Sequence, residues 1–63
     1  MEVNGYEIGP GVDLSGADLS GADLSGLDLS GANLSRAYLG MADLIRANLK
    51  GTKLSKTNFV DAN

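Results

Sequence analysis

From Val12 onward the chain repeats one pattern of five residues: a small or apolar residue, a polar residue, leucine, then two more polar or small residues. The clearest copies are Ala17-Asp18-Leu19-Ser20-Gly21 and Ala22-Asp23-Leu24-Ser25-Gly26. The central position is Leu at 14, 19, 24, 29, 34, 39, 44, 49 and 54, and Phe at 59. Two positions before it stand Val12, Ala17, Ala22, Leu27, Ala32, Ala37, Ala42, Ala47, Thr52 and Thr57. An eleventh unit begins with Ala62 and Asn63, and no insertion breaks the phase over residues 12–63.

A period of five fits neither simple element. On an α-helix steps of five rotate by about 140°, so the leucines would spiral round every side and form no stripe. In a flat strand side chains alternate with a period of two, so an odd period would switch successive leucines between faces. Within one unit, however, the small residue and the leucine are two apart and share a face. The next unit presents that same face only if the chain turns a corner between them. The Ser-Gly pairs at Ser15-Gly16, Ser20-Gly21, Ser25-Gly26 and Ser30-Gly31 supply turn chemistry at those corners. The pattern therefore predicts a polygonal β-solenoid with Leu and Ala inside and successive passes paired through their backbones.

These residues resemble the pentapeptide-repeat family, whose motif is Ala-(Asp/Asn)-Leu-x-x. The likeness covers 52 of the 63 residues in unbroken phase. It implies an all-β fold, a right-handed quadrilateral parallel β-helix, with one unit per side and about twenty residues per coil. This chain would then form about two and a half to three coils. It also implies that the leucine and the small residue face inward and the other three outward. Departures from the motif are Leu27 at a small position, and Tyr38 and Lys53 where Asp or Asn is usual. With that coil length, Leu14, Leu34 and Leu54 form one inner ladder and Leu19, Leu39 and Phe59 another.

Residues 1–11 lie outside the repeat. Val3, Tyr6 and Ile8 alternate loosely with polar residues, and Gly9-Pro10-Gly11 is strong turn punctuation. The expected organisation is a lead-in segment at 1–11, one short strand or extended stretch and then a turn, followed by the β-helix at 12–63. Solenoids need a cap over their first coil, and this segment has apolar residues with which to cover one; the plain alternative is a loose leader. At the other end the motif runs on to Asn63 without a helix or polar cap. The last coil should then expose an open β edge, which is a template for pairing with another chain. Either a partner covers that edge, or the chain is part of a longer repeat protein.

Composition narrows the function classes. The chain holds no Cys and no His, which removes the usual nucleophile, metal ligand and neutral-pH acid or base. Its serines recur as corner residues and not beside a base, and no phosphate-binding loop motif occurs. No enzymatic activity, cofactor or metal site is expected. Asp13, Asp18, Asp23 and Asp28 would sit on four different sides and so do not converge on an ion. No run approaches the roughly 18 apolar residues of a membrane span, and no basic start followed by an apolar stretch marks an export leader. The compartment stays open, whether cytoplasm, virion or a surface assembly.

The net charge of −3 hides a polarity. Residues 1–35 carry six acids (Glu2, Glu7, Asp13, Asp18, Asp23, Asp28) and no base. Residues 36–63 carry five bases (Arg36, Arg46, Lys50, Lys53, Lys56) and two acids (Asp43, Asp61). The halves thus stand at −6 and +3. Head-to-tail stacking would bring the two ends together, with Lys53 next to a following copy's Asp13. The residues expected at such a contact are Asp13, Asp18, Arg46, Lys50, Lys53, Lys56 and Phe59. Heterologous contacts that do not close give filaments; the plain alternative is a solvated surface with no partner. Four outward apolar residues, Tyr38, Met41, Ile45 and Val60, form a candidate lateral patch, or are scattered surface apolars of the ordinary kind.

The expected function is that of a structural repeat protein that self-associates as a homo-oligomer or filament. The resemblance implies an alternative, a protein-binding module, since some members mimic duplex DNA in shape and charge and bind type II topoisomerases. That role needs a long acidic rod, and here the second half is basic. Nucleic acid is not an expected partner, because the basic residues are spread over several faces without interleaved aromatics.

Overall fold

The computed structural model describes residues 2–63; Met1, which the lead-in segment includes, lies outside the described residues. Each small–polar–Leu triplet is extended and each is followed by a two-residue turn. The turn closes when the amide of the next small residue donates to the leucine carbonyl, as from Ala17 to Leu14 (3.0 Å) and from Ala32 to Leu29 (3.0 Å). Its third residue has a positive φ, +70° at Gly16 and +68° at Gly21, which is what a type II turn demands. In the second half the same left-handed position is filled by Arg36, Met41, Arg46, Lys56 and Asp61, with φ between 57° and 63°.

After four such turns the chain lies beside itself. Six parallel bridges pair residues twenty apart: Asp13 with Asn33, Asp18 with Tyr38, Asp23 with Asp43, Asp28 with Asn48, Asn33 with Lys53, and Tyr38 with Asn58. At each bridge the hydrogen bonds slant, as parallel pairing requires. The Asn33 amide donates to the Val12 carbonyl (2.9 Å) and the Asn33 carbonyl accepts from the Leu14 amide (2.7 Å). The corners are stitched too, by bonds such as Gly16 N–H to Ser35 O (2.9 Å). The structure is all-β, with no helix among the described residues.

The consecutive strand residues lie in the lead-in. Strand β1 (Glu2–Val3) pairs antiparallel with β2 (Tyr6–Glu7), Val3 opposite Tyr6. Asn4 and Gly5 between them have φ of +53° and +85°, the two positive values of a type I′ turn. A hairpin thus stands where the sequence pattern suggested a single extended stretch. Its signal was the Asn-Gly pair, which favours the tight turn because both residues tolerate the left-handed region.

The inward faces make one core. Leu19, Leu24, Leu29, Leu34 and Leu39 are fully buried, with Ala17, Ala22, Ala32, Ala37 and Ala42 packed between them. Val3, Tyr6 and Val12 pack against this core from the lead-in side, and Ile8 is buried within it. Burial fades toward residues 44–63. Leu44 and Leu49 are partly buried, while Leu54 and Phe59, which continue the Leu14–Leu34 and Leu19–Leu39 columns, are 39% and 37% exposed. Thr52 and Thr57 sit at small inward positions because their hydroxyls find carbonyls, Leu49 O at 2.9 Å and Leu34 O at 2.6 Å. The described residues measure 24 × 22 × 21 Å along their principal axes. The molecule is as wide as it is long, not the narrow rod that a solenoid suggests.

Candidate association surfaces

The residues that distinguish one unit from another lie on the outside, on two backbone edges and one flank. The outward polar position builds the corners. Asp13 Oδ1 accepts from the Ser15 amide (3.0 Å) and the Ser15 hydroxyl (2.7 Å), and Asp18 does the same with Ser20 (3.2 and 2.8 Å). Asp23 with Ser25 and Asp28 with Ser30 repeat the arrangement. In later units Asn33, Asp43, Asn48 and Asn58 accept the corresponding amide. The serine hydroxyl, and after it the serine amide, hold the carboxylates of Asp13, Asp18, Asp23 and Asp28 below their ordinary pKa. Lys53, two passes away in the same column, adds a smaller pull on Asp13. Local hydrogen bonding to the charged form is therefore the main cause. This corner-building role of Asp was not recognised in the sequence, although Asp two residues before Ser is a known turn signal.

The edge toward residues 44–63 is unpaired. The amides of Leu49, Gly51, Leu54, Lys56 and Phe59 make no hydrogen bond among the described residues. Equivalent amides one pass earlier all donate to a carbonyl nineteen residues on, as Leu34 does to Lys53 (2.8 Å) and Arg36 to Ser55 (2.8 Å). Beside these amides lie the exposed edges of Leu54 and Phe59. Of the basic residues expected here, Arg46 and Lys56 occupy left-handed corner positions. Lys53 stands in the Asp13–Asn33 column, and the Lys50 amide is held by Asn48 Oδ1 (3.0 Å).

The opposite edge carries Asp13, Asp18, Asp23 and Asp28 on four successive sides. Three of the four amides, at Asp13, Asp23 and Asp28, have no partner among the described residues. The fourth, at Asp18, donates to Tyr6 Oη (3.3 Å), and Asn4 Nδ2 donates to the neighbouring Ser20 carbonyl (3.4 Å). Ser30 O accepts from the Gly11 amide (2.9 Å). Tyr6 stands at the end where the sequence places an apolar cap, but the bond of its hydroxyl and the part played by Asn4 are not signalled by the apolar pattern.

On the flank, Tyr38, Met41 and Val60 come together. The Met41 amide donates to Val60 O (2.9 Å), and the Tyr38 ring lies over Gly40, where a Cβ would stand 3.6 Å from Cε2. All three are more than half exposed. Ile45 is also exposed but belongs to the next corner, where its carbonyl accepts from Gly26 (2.9 Å). No helix among the described residues is long and apolar enough to cross a membrane.

A profile of pentapeptide repeats matches the chain in eight copies, over residues 10–36 and 42–63. The unmatched residues 37–41 hold the departure Tyr38, yet the bridges through Tyr38 keep them in phase. No curated protein and no solved structure matches the chain. With most of its residues in the repeat and its passes bridged at twenty-residue intervals, the chain belongs to the pentapeptide-repeat family, whose fold is the β-helix.

Proposed function

We propose that this chain is a non-enzymatic structural module, a right-handed four-sided β-helix of about two and a half to three coils, that self-associates end to end. The basic edge of one copy receives the acidic edge of the next. The observation that carries the reading is one coincidence: the edge with unpaired amides and a half-covered Leu54 and Phe59 is also the basic end. Unpaired strand edges template pairing, and opposite charges steer the two ends together. A second copy placed in continuous phase sets its Asp13 beneath Lys53, in the column that Asp13, Asn33 and Lys53 share within one chain. Such a contact is heterologous and does not close, so it extends into oligomers or a filament.

Sedimentation velocity over a concentration series tests this. The sedimentation coefficient should rise with protein concentration, and the rise should shrink as salt screens the charged ends. Lys53→Glu should weaken association while leaving the circular dichroism spectrum unchanged. A monomer at every concentration in low salt would overturn the reading.

A further inference from the structure

The two edges are not equally open: on the acidic edge the Gly11 amide covers Ser30 O, and two side chains of the hairpin cover the Asp18 side. In later passes the amide at the outward polar position donates to a carbonyl twenty-one residues back, Asn33 to Val12, Tyr38 to Ala17 and Asp43 to Ala22. At Asp18 that carbonyl is replaced by Tyr6 Oη. The corner carbonyls of later passes accept from backbone amides, as Gly40 O does from Gly21. At Ser20 that amide is replaced by Asn4 Nδ2. Both substitutions fall on one side, and both come from the hairpin, whose Val3 and Tyr6 also pack on the core.

We propose that Tyr6 and Asn4 are a one-sided seal on the acidic edge. They imitate with side chains the hydrogen bonds of a preceding pass and so withhold the Asp18 side from an incoming chain. This inference rests on the end-to-end reading for its purpose, and the incoming chain is a second copy, as the opposed charges of the two ends require. The copy meets free amides at Asp13, Asp23 and Asp28 only. Completing the fourth side requires the hairpin to lift, so the bonds of Tyr6 and Asn4 set how readily the full edge pairs. Short hairpins and covered edges are the means by which β proteins limit unwanted pairing.

The full chain is tested by amide hydrogen exchange followed by NMR, together with sedimentation. The Asp18 amide should exchange more slowly than those of Asp23 and Asp28. Tyr6→Phe keeps the ring packing and removes Oη, and should speed Asp18 exchange by about two- to tenfold. It should also raise the association constant by a similar factor, because lifting the hairpin now breaks one bond fewer. An Asp18 amide that exchanges as fast as Asp23 in the unaltered protein would overturn the seal, as would a Tyr6→Phe variant with unchanged exchange. If exchange behaves as stated while both proteins stay monomeric, the seal stands and the self-association reading falls.

Discussion

At the scale of the residue, the repeat is a contest between corner chemistry and side-chain variety. The first half meets the corner's demand with glycine; the second half keeps glycine only at Gly51 and places Arg36, Met41, Arg46, Lys56 and Asp61 in the same left-handed conformation. A Cβ there costs about 1 kcal/mol or more. The corners themselves are open, since a Cβ at Gly16, Gly21 or Gly26 would meet nothing within 4 Å. The penalty is therefore conformational and not steric. Arg36→Gly should raise stability by about 1 kcal/mol and Gly16→Ala should lower it by about as much, read from urea unfolding midpoints. The Asp–Ser corners add a pH dependence. Their carboxylates titrate below the ordinary value in the folded chain, so the unfolded chain binds protons first. That stability is present above the ordinary carboxylate value of about 3.9 and is lost as the pH falls through the lowered one. Melting temperature should drop on acidification through this range, and replacing Ser20 and Ser25 by alanine should flatten the drop.

At the scale of the element, the unit of stability is the column and not the strand. Leu34 is fully buried between Leu14 and Leu54, whereas Leu54 is 39% exposed. Leu34→Ala should cost about 2–5 kcal/mol. Leu54→Ala should cost only about 1 kcal/mol in dilute solution, because much of its surface stays in water. The same Leu54 change should weaken association more than it weakens the fold, a divergence that unfolding and sedimentation together would detect. The hairpin obeys a different rule from the repeat. Its two-residue type I′ turn makes it antiparallel, and its register sets Val3 opposite Tyr6, both packed against the core.

At the scale of the molecule, nearly equal dimensions make the two edges a large part of the surface. A long solenoid hides its ends; here they carry the charge polarity, the unpaired amides and the exposed core residues. The −6 and +3 halves become two faces a short distance apart. The Tyr38, Met41 and Val60 cluster lies on the flank between them, over a corner where Gly40 leaves room for the ring. The basic half tells against duplex mimicry, which needs an extended acidic surface.

By itself the sequence determined the interior. A five-residue period with leucine at its centre admits one inward face and a corner per unit, which places all ten central residues inside; Leu14, Leu19, Leu24, Leu29, Leu34 and Leu39 are buried there, while Leu54 and Phe59 stay partly exposed at the open edge. The charge polarity was equally legible, because charge can be counted along a chain. Only the tertiary structure decided how the acidic edge is shared out. That Tyr6 reaches Asp18 and Asn4 reaches Ser20 depends on how the hairpin folds back over the first pass, which spacing does not encode. Nor did the sequence show which amides lack partners, since a backbone group is the same in every residue and its pairing depends on what lies beside it.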